Sequence, residues 1–188
     1  STFFGENALL EEIIFGIAEN KSTGDIFIVG EGANATLLND NNSSFFQNSG
    51  PSFFSKFNSD LTLAFSSRFN ASRIADVQVA PNGNIFIAGQ ATPADNIPVI
   101  SEDIDSYTQT ALGNQNAFIT KISPFPHQIL WSTNFGGNLD DFFEELAIGD
   151  KGDIYMVGRT NLEDNSSLGS FPFFDPGNLP PDNIYDDE

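Results

Sequence analysis

Carboxylates are the only catalytic or metal-binding groups this chain offers in number: it holds 26 Asp and Glu, one His and no Cys. Glycoside hydrolysis needs two carboxyls facing each other, about 5 Å apart for retention or about 6.5 to 9.5 Å for inversion. The doublets Glu11-Glu12 and Glu144-Glu145 put acids side by side. Neighbours on a strand point to opposite faces, so neither doublet is a facing pair by itself. Nucleophilic hydrolysis needs a histidine beside an activated hydroxyl or thiol. The single histidine, His127, stands in the turn-rich run Pro124-Phe-Pro-His-Gln128, and no G-x-S-x-G elbow is present. It reads as a turn residue, and no catalytic residue is assigned.

Calcium is the one cofactor that suits this composition, because it takes oxygen donors. Asp140, Asp141, Asp150 and Asp153 offer carboxylates in predicted loops and are the candidate metal ligands. No D-x-[DN]-x-[DN]-G run with a distal Glu accompanies them, so turn capping and solubility explain them without an ion. Glu12, Asp76 and Glu145 read as one position of a repeated strand. Were that strand innermost in a radial fold, the three would ring a channel and draw a cation. Solvated strand-entry residues are the plainer reading.

With 7 Lys and Arg against 26 acids, the formal charge is −19. Nucleic acid is excluded as a partner, since phosphate binding rests on clustered cations. An acidic ligand or an anionic membrane is disfavoured on the same ground, which leaves a neutral glycan, a basic protein or another domain of the same polypeptide. Hydrophobic residues make up 39% and charged residues 18%, with 20 Phe, too apolar a composition for a disordered acidic chain. No apolar stretch approaches the roughly 20 residues that cross a bilayer. A soluble folded piece of a mature protein is expected, without disulfides.

The elements that must position any site are written as a repeat. Gly24-Asp-Ile-Phe-Ile-Val-Gly30, Gly83-Asn-Ile-Phe-Ile-Ala-Gly89 and Gly152-Asp-Ile-Tyr-Met-Val-Gly158 are one phrase, a short buried strand between glycines. Before each lies another apolar stretch, Leu9 to Ile17, Ile74 to Ala80 and Phe142 to Gly149, joined to the phrase by Gly- and Asn-bearing hairpin turns. The first turn, Ala18 to Thr23, is longer. Downstream, Phe53-Phe-Ser-Lys-Phe57 with Leu61 to Phe69 matches Ala117-Phe-Ile-Thr-Lys-Ile122 with Ile129 to Phe135. The unit is therefore four antiparallel strands, a, b, c and d, with a long polar loop from b to c. Only Ala8 to Glu19 competes as a helix, with Leu9, Ile13 and Ile17 at helical spacing.

Such four-stranded units have two apolar faces and must bury them against neighbours, which favours an all-β fold of β-propeller blades over a sandwich or solenoid. Rows such as Ile26, Ile28, Ile85, Ile87, Ile154 and Met156, with Phe65, Phe69, Trp131 and Phe135, are expected to hold blade to blade.

The order Ile74-to-Thr92, then Asn116-to-Ser123, then Ile129-to-Asn161 resembles the bacterial beta-propeller repeat of seven-bladed type. The phrases that carry the resemblance are Gly83 to Thr92 and Gly152 to Thr160, Phe118 to Lys121, and Trp131 to Gly137 with Asp140 and Asp141. The first copy departs from the pattern, with no Gly-Gly after Phe69, and reads as a degenerate blade. The resemblance implies a secreted or cell-surface protein of gliding or type IX secreting bacteria, and it implies no reaction.

Ser1-Thr-Phe-Phe-Gly5 matches Ser132-Thr-Asn-Phe-Gly136, so the chain opens in a strand d. The expected layout is the end of a preceding blade over 1–5, blade 1 over 6–69, blade 2 over 70–137 and the first half of blade 3 over 138–188. That is an incomplete ring, about two full blades plus parts of two others, and the rest is expected from a longer polypeptide or another chain. The functional expectation is a non-enzymatic structural or adhesive interaction module. The alternative is a propeller enzyme or lectin on polysaccharide, which the long b-to-c loops, Glu31 to Ser52, Gln90 to Gln115 and Arg159 onward, would serve.

Overall fold

A computed structural model describes residues 12–32, 47–104, 106–111 and 113–161. Among them the fold is all-β. The strands are β1 (Ile13–Asn20), β2 (Asp25–Glu31), β3 (Ser52–Phe57), β4 (Leu63–Phe69), β5 (Arg73–Val79), β6 (Ile85–Ala91), β7 (Asn116–Ile122), β8 (Ile129–Phe135), β9 (Asp141–Ile148) and β10 (Ile154–Thr160). A single 3-10 turn, Pro93–Asp95, interrupts them. They form antiparallel sheets in the order β1-β2-β3-β4, β5-β6-β7-β8 and β9-β10, the first two being four-stranded propeller blades and the last a two-stranded sheet. The described sheets are open and close no ring.

The seven-residue phrase is explained at both ends by backbone geometry. Its first glycine, Gly24, Gly83 or Gly152, has φ of 75°, 86° or 87° and closes the a-to-b hairpin where L side chains are strained. Its last glycine, Gly30, Gly89 or Gly158, lies opposite a bulge in the first strand of its sheet, at Phe15, Ala75 and Glu144 respectively. There the requirement is space, because a Cβ would run into the main-chain carbonyl of Ile13, Arg73 or Phe142. The alternating residues between these glycines put one apolar row on each face of the sheet.

Packing between sheets is concentrated on their first strands. β5 lies against β1, β2 and β3, and β9 against β5, β6 and β7. Phe27, Val29, Phe54, Phe65 and Phe69 of the first sheet meet Ile74, Val77, Ile85, Ile87 and Phe118 of the second in one buried core. The opposite face of the second sheet sends Phe86, Ala88 and Ile119, flanked by Trp131 and Phe135, onto Phe143 and Leu146 of β9. Ile26 and Ile28 do not join the core between the first two sheets. They face the other way, with Phe53 and Phe57.

His127, from the turn between β7 and β8, inserts into the first of these cores. Its ring is buried, stacks on Phe65 at 4.5 Å between centroids and meets the edge of Phe54 at 6.1 Å. A residue expected in a turn is thus also a wedge between blades.

The structure corrects the phase of the first strand. The expected strand from Leu9 to Ile17 is found at Ile13–Asn20, and the helical alternative for 8–19 gives way to this strand over its described part. Ile17 pairs with Ile28 as Val77 pairs with Ile87, and the hairpin between the first pair holds one residue more than the hairpin between the second. The register therefore makes Gly16 the counterpart of Asp76 and Glu145, and places Glu12 level with Ser72 and Asp141. No ring of Glu12, Asp76 and Glu145 forms. Two aliphatic runs in succession around Glu11 and Glu12 allow the misphasing, because a slip by whole turns of the alternation leaves the apolar pattern unchanged.

Candidate functional site

The b-to-c loop of the second sheet does not stand free as a binding tip. It lies along β8, the outer strand of its sheet: Ile100 forms a two-bond bridge with Ser132, and Trp131 Nε1–H donates to the carbonyl of Tyr107 at 2.8 Å. Gln109 N–H donates to Thr133 Oγ1 at 2.7 Å while its carbonyl accepts from Asn134 N–H at 3.1 Å. The loop thereby satisfies polar groups that an edge strand would expose. The first sheet repeats the device. Gln47 N–H donates to Ser67 Oγ at 2.7 Å and its carbonyl accepts from Arg68 N–H at 2.9 Å. Arg68 is buried and its guanidinium donates to the carbonyl of Gly32. Burial pushes that guanidinium down from its ordinary value, and the charge of Glu12 opposes the shift.

Sequence reasoning missed Gln47 and Gln109. The one signal was the matched hydroxyls Ser67 and Thr133 on the outer strands, since the glutamines themselves stand at different distances from the strands that follow.

Where the two loop systems meet, they leave a cleft of about 600 Å³ lined by Gln47 to Gly50, Asn70, Asp95 and Asn96. Three separate segments build it: the end of one b-to-c loop, the link from β4 to β5, and the start of the next b-to-c loop. Each is braced. Asp95 Oδ2 accepts Thr92 N–H at 2.7 Å and the Ser72 hydroxyl at 2.8 Å, which closes the 3-10 turn. Asn70 Nδ2 donates to the carbonyl of Asp95 at 2.9 Å. Asn96 sits at φ 51°, a left-handed conformation that Asn tolerates. Gly50 passes so close to β4 that a Cβ there would stand 2.5 Å from the carbonyl of Phe69.

The cleft chemistry is that of amides and hydroxyls, groups that both donate and accept. Among its described lining residues there is one carboxylate, Asp95, already engaged with the turn. Paired facing carboxyls, which glycoside hydrolysis requires, are not assembled there.

The four candidate calcium ligands fall into two pairs. Asp140 and Asp141 stand at the start of β9, and Asp150 and Asp153 flank the hairpin beyond its end. Eight strand residues at about 3.4 Å each hold the pairs on the order of 25 Å apart, so the four do not share an ion. Asp141 Oδ2 accepts Gly137 N–H at 2.7 Å, and a Cβ at Gly136 would collide with that carboxylate. The Gly-Gly and the paired Asp are thus one structural clasp. Asp140 Oδ1 and Asp141 Oδ1 are buried with no hydrogen-bond partner among the described residues. No cluster of three or more His, Asp or Glu suited to a metal occurs among the described residues. The b-to-c loop segments at 33–46 and from 162 onward lie outside the described residues.

No protein-family model and no curated protein matches the chain.

Proposed function

We propose that this chain is a non-enzymatic interaction module, a propeller segment of a secreted or cell-surface bacterial protein that binds a neutral polar ligand or holds neighbouring domains in place. The observation that carries the reading is the braced cleft between blades, whose Gln, Asn and Ser lining suits hydroxyl-bearing ligands. The rigid sheets beneath it and the loops tied to β4 and β8 supply the fixed scaffold on which such sites are built. The secreted or surface setting, in bacteria that glide or secrete by the type IX route, is supported by the resemblance of the repeated phrases. The charge of −19 supports a neutral or basic partner over an acidic one.

The test is a neutral-glycan array followed by a turnover assay on every glycan retained. Retention by the intact chain, weakened by Asn70→Ala and without release of product, is the expected result. Product release would establish the alternative, an enzyme acting on polysaccharide. Absence of glycan retention together with capture of sibling domains would leave a purely structural role.

A further inference from the structure

In both complete sheets the second strand is covered on its far side by a third: β2 pairs with β3 and β6 with β7. β10 is the second strand of the last sheet, and among the described residues its far edge carries no strand. The consequence appears in exposure. Phe27, Ile28 and Val29 of β2 are 0 to 6% exposed, and Ile85 to Ala88 of β6 are 0 to 4%. The corresponding Ile154, Tyr155, Met156 and Val157 are 38 to 61% exposed. An exposed apolar edge of this kind is a template for another strand.

The chain itself specifies what fits. Residue by residue, the partner of the second strand reads Ser52-Phe-Phe-Ser-Lys-Phe57 in one sheet and Ala117-Phe-Ile-Thr-Lys-Ile122 in the other. The shared phrase is small, Phe, apolar, hydroxyl, Lys, apolar. Carried onto β10, its Phe falls opposite Gly158, its hydroxyl opposite Met156 and its Lys opposite Tyr155. At Gly30 the Phe53 ring fills the space over the glycine, where a Cβ would come 2.8 Å from it.

Charge gives the lysine a destination. Lys56 Nζ meets Asp25 Oδ2 at 2.9 Å, and Asp25 opens the second strand immediately after its hairpin glycine. In the second sheet that position is Asn84, and Lys121 turns to Glu102 of the loop at 2.5 Å. In the third sheet the position is acidic again, Asp153, and it is exposed. Residues 162–188 contain no Lys or Arg, so they do not supply the phrase.

We propose that the edge of β10 that carries no strand among the described residues is a docking site for an extended partner strand of the form small-Phe-apolar-hydroxyl-Lys-apolar, supplied by a segment outside these residues, with its lysine paired to Asp153. The site is independent of the amide-lined cleft, which lies between the first two sheets.

The test uses the intact 188-residue chain and a labelled synthetic peptide of the sequence Gln115 to Ser123, with the same peptide bearing Lys121→Glu as its control. Fluorescence anisotropy is expected to show saturable binding of the first peptide and on the order of tenfold weaker binding of the second, because an attractive cross-strand pair becomes repulsive. Hydrogen exchange is expected to place the new protection on the amides of Ile154 to Thr160. Asp153→Lys in the protein is expected to reverse the preference between the two peptides. That residue is an exposed turn position, and should the variant fail to fold, the two peptides on the unaltered chain still decide. Equal binding of both peptides, no binding of either, protection confined to other strands, or β10 amides already protected in the free chain by self-association would each overturn the proposal.

Discussion

The carboxylate of Asp76 joins two blades: Oδ1 accepts Val77 N–H at 2.7 Å and Oδ2 accepts the N–H of Leu146 in β9 at 2.9 Å. Asp76 follows the bulged residue of β5, and the bulge is what turns its side chain toward the next sheet. At the matching position of β1 stands Gly16, where a Cβ would come 3.0 Å from Val77 N and 3.1 Å from Asp76 Cα. One interface is therefore closed by a side chain and the other by the lack of one.

Replacing Asp76 by Ala leaves the Leu146 N–H in a partly buried place without its acceptor, a loss worth about 1 to 3 kcal/mol. The urea midpoint is expected to fall accordingly, with faster amide exchange at Leu146. Asp76→Asn keeps an acceptor oxygen and is expected to recover part of the loss. An unchanged midpoint in the Ala variant would mean that water replaces the tie at no cost.

The two glycines of the repeated phrase make opposite demands, and substitution separates them. Gly152 needs positive φ, but the space where a Cβ would stand is open to 4 Å, so Gly152→Ala is expected to cost only the left-handed conformation, about 1 to 2 kcal/mol. At Gly89 a Cβ meets the carbonyl of Arg73 and lies 2.9 Å from Ile74 Cα, both backbone, so the β5–β6 ladder must open. Gly89→Ala is expected to be the more destabilising of the two in urea titration, and equal midpoints would refute the close-approach argument.

These glycines are also why the fold was legible in the sequence. Each is fixed by local backbone geometry, so the phrase recurs wherever the hairpin and its bulge recur, and the alternation between them reports two buried faces. The phase of β1 was not legible, because Leu9-Leu10 and Ile13-Ile14 place the same apolar doublet on either side of Glu11-Glu12, four residues apart, and the first hairpin carries an extra residue. The cleft was not legible for a different reason. Gln47, Asn70 and Asn96 come from three loops, and only the packing of one sheet on the next brings them together. The Gly136-Gly137 and Asp140-Asp141 pattern was visible, but its chemistry was not: the same residues serve a clasp, with Asp141 holding Gly137, before they serve any ion.

A buried hydroxyl pair between the third and fourth strands occurs in both complete sheets, Ser55 with Ser66 at 2.6 Å and Thr120 with Ser132 at 2.8 Å. Removing one member strands the other in an apolar interior, whereas removing both with shape retained is close to neutral. Ser132→Ala is expected to cost about 1 to 3 kcal/mol and the double variant Thr120→Val, Ser132→Ala clearly less than the sum of the two singles. A strictly additive double-mutant cycle would show that the hydroxyls find other partners.

Alkaline titration tests the loop that covers β8. Tyr107 donates its hydroxyl proton to Gln109 Oε1 at 2.8 Å, its carbonyl accepts from Trp131, and its ring tilts against Phe135. Burial raises its pKa above the ordinary value of 10.0, because the phenolate is the form that loses solvation. A group whose folded pKa is raised contributes stability that is fully present below the unfolded pKa and is lost as pH rises through the folded pKa, so docking of the loop weakens only above about pH 10. Tyr107 remains 44% exposed, and the effect is correspondingly modest. The difference between the ultraviolet titrations of the unaltered chain and Tyr107→Phe is expected to isolate a phenol titrating above 10. The emission of the single Trp, Trp131, is expected to shift over the same range as its indole N–H loses the Tyr107 carbonyl. A Tyr107 phenol that titrates at 10 or below, with Trp131 emission unmoved, would mean that this loop does not lie on the strand in solution.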